Sequence, residues 1–336
     1  MDKEIWNKPK ICSSVGGSAL IEGVMMRNSD KLAVSVRKSD GEIFTEVRNV
    51  VPITKKYKFF GLPFVRGAVS LIDSMVVGIK VLMESAEQVD IYDEEDEEES
   101  KFDIWMKNKF GDNYFNVMLY FSLFIALAFS IGLFILLPTF ITGLLPFEKG
   151  TSGGSLLANA IEGIIKIALF LLYIYLVSKN KEIHRVFQYH GAEHKSIHTY
   201  ENKEELTVEN VKKHTRIHPR CGTTFMFVVI IISIILFAFT GWHHPLINML
   251  IRIALLPVIA GISYELFKLA ARSDNKLLRL VSIPGLMLQK LTTQEPDDSM
   301  IEVAIASLKA VVEDASETAP DSQEEQEQQS APGGNL

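Results

Sequence analysis

The chain is poor in cysteine. Its 336 residues hold two, Cys12 and Cys221, so no disulfide framework is available and a reducing compartment is expected. No apolar run opens it, so no cleavable signal peptide is expected. Its basic residues draw no stripe, so nucleic acid is not an expected partner. Its apolar stretches show no internal repeat, which argues against an ion or solute transporter. The net charge of −7 excludes little, because much of it comes from the acidic run 93–99 and from the C-terminal tail.

What is present is segregated. The chain is 48% hydrophobic and 22% charged, yet some stretches are almost purely apolar and others dense in charge. That is the pattern of a polytopic membrane protein with soluble flanks. Four stretches are candidate spans: 114–137, closed by Pro138; 156–178, apolar apart from Glu162 and Lys166; 222–241, without charge; and 246–271, with Arg252, Glu265 and Lys268. Each has about the length that crosses hydrocarbon at ~1.5 Å per residue. The connection 179–220 holds nine Lys or Arg, whereas 138–155 holds one and 242–245 none. The positive-inside rule then puts that loop and both termini in the cytoplasm. The expected fold is an α-helical bundle of four transmembrane helices, arranged as two hairpins over 114–281. Glu162 and Lys166, four apart, should pair, and Arg252 should lie at a similar depth.

The flanks read differently. Residues 1–58 form an expected cytoplasmic β-rich module. Within it 16–27 reads as one strand bounded by glycines, and Asp40-Gly41 as a hairpin turn. In 59–88, Arg66, Ser70, Asp73, Lys80 and Glu84 draw a polar stripe on an apolar helix. An interfacial helix is expected there, with a fifth crossing left open. Residues 89–113 are an acidic linker. In 282–313 a turn at Ser282-Ile283-Pro284-Gly285-Leu286 precedes an amphipathic helix over 300–312, expected to dock on the N-terminal module. The tail 314–336 has the composition of a disordered segment.

The chemistry concentrates in Tyr189-His190-Gly191-Ala192-Glu193-His194-Lys195-Ser196-Ile197-His198. His190 and His194 are four apart and share one helix face. With Glu193 they spell H-x-x-E-H, the inverted form of a zinc-hydrolase motif in which the glutamate is the general base. His198 lies one turn further on. A catalytic zinc wants about three protein ligands and one open position. Glu265, His218, Cys221 and His198 all fall at the same cytoplasmic membrane level and stay open as the third. Glu265 could equally pair with Lys268, and Cys221 could be a buried bystander. Lys195 or Arg220 could steady developing negative charge. Glu22 and Arg27 are further polar candidates, or plain surface charges.

These residues resemble the YqhQ-like family of bacterial inner-membrane proteins. The resemblance runs from about Ile11 to Leu308. It rests on Gly16-Gly17-Ser18-Ala19, Glu22-Gly23-Val24-Met25-Met26-Arg27, Arg66-Gly67, the His190 motif and His218-Pro219-Arg220-Cys221-Gly222-Thr223. It continues through Gly261-Ile262-Ser263-Tyr264-Glu265, Pro284-Gly285-Leu286, Leu291-Thr292-Thr293 and Glu295-Pro296-Asp297-Asp298. It implies an uncharacterised membrane protein, described as a metal-dependent enzyme, and supplies no substrate. Two functions follow as expectations. One is a membrane hydrolase using zinc or another divalent metal on a peptide or lipid-derived substrate. The other is a non-enzymatic scaffold in the bilayer, a homo-oligomer or partner-binding protein in which the His/Glu cluster ties helices together.

Overall fold

A computed structural model describes residues 10–11, 13–89, 101–111, 114–146, 148–272 and 276–317. Cys12, the acidic run 93–99 and the tail beyond 317 lie outside them.

Strands β1 (Val15–Leu20), β2 (Gly23–Asn28), β3 (Lys31–Arg37) and β4 (Ile43–Asn49) make one antiparallel sheet in the order β1-β2-β3-β4. Residues 16–27 are therefore two strands, not one. The chain reverses between the paired Leu20 and Gly23, with Glu22 in the left-handed region at φ 50°. Nothing in Leu20-Ile21-Glu22-Gly23 has the Asn-Gly or Asp-Gly signature of a tight hairpin. Between β3 and β4 the chain turns at Asp40-Gly41, where Gly41 takes φ 88° and Asp40 Oδ1 accepts the Glu42 N–H at 2.9 Å.

Helices follow in order: α1 (Ile53–Lys56), α2 (Val65–Gln88), α3 (Lys101–Phe110), α4 (Tyr114–Ile131), α5 (Leu137–Leu144) and α6 (Ser152–Val177). After them come α7 (Lys181–Glu201), α8 (Val208–Lys213), α9 (Gly222–Ala238), α10 (Pro245–Arg272), α11 (Lys276–Thr292) and α12 (Asp298–Glu317).

Period-two alternation gives the sheet two apolar faces. One packs Val24, Met26 and Ala33 on Tyr189 and Ala192 of α7 and on Met300, Ile301 and Leu308 of α12. The other packs Leu20, Met25, Val34 and Val36 on Val81 of α2. The α2 polar stripe is the seam between sheet and bundle. Glu84 binds Arg48 at 2.5 Å, Asp73 lies 3.9 Å from Arg27, and Arg66 binds Glu265 of α10. Gly67 lets α2 cross α10 closely, since a Cβ there would sit 2.9 Å from Gly261 Cα.

Among the described residues, three helical segments are long and apolar enough to cross a membrane: Tyr120–Leu144, Gly153–Val177 and Leu246–Ala270. A fourth apolar helix, α9, has 17 residues, about 25 Å at the α-helical rise. Pro138 does not end the first span. A π-helical turn at Gly132–Leu136 precedes it, and the helix continues to Leu144; such a wider turn relieves the clash of a proline ring with the preceding turn. Pro284 likewise lies inside α11 rather than in a turn, and Gly285 beside it lets α11 approach α9, 2.7 Å separating a built Cβ from Thr224 Cα. Inside the bundle Glu162 binds Lys166 at 2.8 Å and also Arg252, which in turn reaches Thr139. This buried group joins α5, α6 and α10.

Candidate metal centre

Asn180 caps α7, its Oδ1 accepting the N–H groups of Glu182 (2.8 Å) and Ile183 (3.2 Å). Along the helix His190 and His194 come one turn apart, their ring centres separated by 4.4 Å. Each turns Nδ1 to a backbone carbonyl: His190 to Thr292 O at 2.9 Å and His194 to Arg216 O at 2.6 Å. A carbonyl only accepts, so Nδ1 carries the proton and each Nε2 lone pair faces inward. His190 Nε2 meets Cys221 Sγ at 3.2 Å. His194 Nε2 is buried with no hydrogen-bond partner. One donor atom from each of His190, His194 and Cys221 lies within 4.8 Å of the others. Zinc bonds of about 2.0–2.3 Å put tetrahedral donors roughly 3.5 Å apart, so small side-chain rotations complete a shell. A buried, unpartnered imidazole nitrogen beside a thiol and a second imidazole fits a bound metal.

Cys221 caps α9 and belongs to the donor group. Its loop is pinned from α11 by Gln289, whose Oε1 accepts the His218 N–H and whose Nε2 donates to His218 O and Thr224 Oγ1, all at 2.8 Å. Burial would raise the Cys221 thiol, but His190 and His194 hold it well below its ordinary value. Burial would likewise lower His190, yet Cys221, and then Glu193, lift it to about 9. The two groups therefore stabilise each other as thiolate and imidazolium when no metal lies between them.

Glu193 faces the same space from beneath β1. The Gly17 N–H hydrogen-bonds its carboxylate, and a Cβ on Gly17 would come 3.0 Å from Glu193 Cδ. Its Oε2 is buried and unpartnered. Burial pushes this carboxyl above the usual range while His190 and His194 pull it back. A carboxylate in that balance accepts a proton readily.

Residues 62–314 match the protein family of unknown function DUF1385. The chain is 36% identical over 318 residues to the "Uncharacterized protein YqhQ" of Bacillus subtilis (strain 168), covering 91% of this chain and 94% of that protein. The chain belongs to the DUF1385 family. No solved structure matches it.

The other sequence candidates of this DUF1385 chain stand outside the donor group, His218 beside it with its ring centre 5.6 Å from that of His194. Glu265 is not in the donor group; both its oxygens are held by Arg66 at 2.6 Å. Its hydrogen-bonding partner is a cation from α2, and Lys268 adds a weaker electrostatic pull on the same carboxylate. His218 lies 3.7 Å from Glu201, and burial holds its imidazole down to about 3. His198 Nε2 lies 3.0 Å from Ile217 O, and burial lowers it to about 4. Lys195 binds Glu295 at 2.8 Å, and Arg220 binds Glu201 and Ser13 O. Glu22 holds Arg185 at 2.5 Å and accepts from Tyr189 OH at 3.1 Å, while Arg27 reaches Val50 O at 3.2 Å. Gln289 and Glu201 brace the site without having stood out in the sequence. For Gln289 the available signal was an amide within the apolar stretch Leu286-Met287-Leu288-Gln289. Glu201, at a helix end, resembles an ordinary surface acid.

Proposed function

We propose that this chain is an integral membrane hydrolase using a divalent metal, zinc by its donor set, held by His190, His194 and Cys221. Two imidazoles and a thiolate suit zinc, and three protein ligands leave one position free. The observation that carries the reading is the convergence of three donor atoms, one of them the buried, unpartnered His194 Nε2. When bound, the metal supplies Lewis acidity and an acidified water. Glu193 takes a proton from the attacking water and returns it to the leaving group. Gly17 N–H orients Glu193, and Thr292 O and Arg216 O orient the two imidazoles. Lys195 and Arg220 hold Glu295 and Glu201 and so fix the strands of chain around the centre. With α9 as a fourth crossing, the bundle becomes two hairpins. The basic loop that carries the site then faces the cytoplasm at the bacterial inner membrane, with both termini on that side. Peptides and lipid-derived esters or amides are both within this chemistry.

The test is Glu193→Gln in cells lacking the wild-type gene. The variant is expected to fold, keep its metal and behave as a deletion. Wild-type behaviour of a folded, metal-loaded Glu193→Gln protein would refute hydrolysis and favour a scaffold.

A second reading has one specific observation behind it: Cys221 Sγ lies 3.2 Å from His190 Nε2 at the start of α9. A helix N-terminus and an adjacent imidazolium are what activate a nucleophilic thiol. That arrangement predicts metal-free protein inactivated by iodoacetamide. Zinc that shields Cys221 from alkylation decides for the metal.

A further inference from the structure

The two edges of the sheet are built differently. β4 carries Glu46 and Arg48, joined to each other at 2.6 Å, and Arg48 also binds Glu84 of α2 at 2.5 Å. Charge of that kind protects an edge from added strands. β1 pairs with β2 on one side and, among the described residues, with no strand on the other. Here Gly16 and Gly17 are exposed, and a Cβ built on Gly16 meets nothing within 4 Å. The strand itself carries no charge or proline at this point, and the one side chain set against it is Glu193, beside Gly17.

This open edge passes the candidate centre. Backbone groups of an antiparallel strand point alternately toward and away from the neighbour. Glu193 lies beside Gly17, a Cβ built there coming 3.0 Å from its Cδ and Oε1, and among the described residues no strand stands between them. Leu20 and Gly23 flank a two-residue turn and form the hydrogen-bonded pair, so the backbone groups of Gly17, like those of Val15 and Ala19, turn away from β2 to the outer side. An added strand would find the Gly17 and Ala19 carbonyls and the Ala19 N–H, and its own backbone would run beside Glu193. Addition of an extended peptide to a bare sheet edge is a recurrent recognition mode that reads main chain rather than side chains. An acyl chain has no groups to satisfy such an edge.

We infer that the outer edge of β1, at Gly16-Gly17-Ser18-Ala19, receives an extended polypeptide as a fifth strand, so that the substrate of the neighbouring centre is a peptide. This rests on the metal-hydrolase reading, and its test separates the two.

Full-length, zinc-loaded protein in detergent is titrated with three probes. They are acetohydroxamate, leucyl-leucyl hydroxamate, and the latter with its internal amide N-methylated. Hydrogen exchange is followed over residues 15–20. The dipeptide is expected to bind about tenfold more tightly than acetohydroxamate, the worth of one or two net strand hydrogen bonds. N-methylation should remove that gain, and the dipeptide alone should slow exchange at Ala19. If acetohydroxamate binds but the dipeptide adds neither affinity nor protection, the edge proposal is overturned and the metal reading stands. If no hydroxamate binds, both are overturned. Protection that appears without ligand and grows with protein concentration also overturns the proposal, by showing the edge to be the seat of a second copy.

Discussion

Replacing Gly191 with alanine perturbs the centre without touching a donor. Gly191 lies on α7 directly beneath the segment that follows α11. An added methyl would overlap the Gln294 carbonyl oxygen and reach 3.4 Å from Pro296 Cδ. That segment is fixed to α7, Gln294 N–H donating to Phe187 O at 2.8 Å and Gln188 Nε2 to Glu295 O at 3.0 Å. It runs on directly from Thr292, the last residue of α11, whose carbonyl sets the His190 tautomer. Backbone, not a flexible side chain, must move. Overpacking of this kind costs about 1–3 kcal/mol, while the better helix propensity of alanine returns about 1 kcal/mol. The net loss of stability is therefore at most about 2 kcal/mol. The effect on the metal should be larger. Disturbing a partner of a metal-bound histidine typically lowers affinity by about 10–100-fold. The assay is zinc competition against a chelating dye beside a thermal melt, with Gly16→Ala as the control. Wild-type zinc affinity and an unchanged melting midpoint in Gly191→Ala would refute this account of the His190 orientation.

Other expectations follow from the same contacts. Gln289→Ala strands the His218 N–H and carbonyl in a buried site, which should cost about 1–3 kcal/mol and weaken zinc binding through the Cys221 loop; unchanged metal affinity would show that the loop stands alone. Arg66→Ala, which leaves Glu265 without its partner, should lower the melting midpoint and leave zinc content intact; loss of zinc would restore Glu265 as a ligand. In metal-stripped protein, stability should fall with acid. His218, held neutral down to about 3, and His198, down to about 4, leave the unfolded chain to take up protons from about pH 6.5 downward. Glu201, held near 2 against its burial by His218, Ser13 and Arg220, extends the loss below about pH 4.5. A melting midpoint that is flat or rises between pH 7 and 4 would contradict these environments.

Much of the site could be read from local periodicity. The i, i+4 spacing of His190 and His194 is a property of helical pitch and needs no tertiary information. The same holds for the Asp40-Gly41 turn. The third donor was a different kind of question. On the topology expected from the sequence, Cys221 and Glu265 share a membrane level, and depth alone cannot rank them. What separates them is Arg66, nearly two hundred residues from Glu265 in sequence and brought to it by the Gly67–Gly261 crossing. Pro138 and Pro284 misled for a related reason. A π turn and close helix packing let helices pass through residues that would end them in isolation. The reversal at Ile21-Glu22 went unseen because glycine at 23 is demanded by crowding, a built Cβ lying 2.6 Å from Ser35 O, rather than by turn chemistry.

The most direct measurement is the zinc content of detergent-purified protein by elemental analysis, wild type against His190→Ala with His194→Ala. About one zinc per wild-type chain, lost in the double variant while the protein stays folded, is the expected result. Wild-type protein without metal after purification in zinc-supplemented buffer, or full metal retention in the double variant, would contradict it.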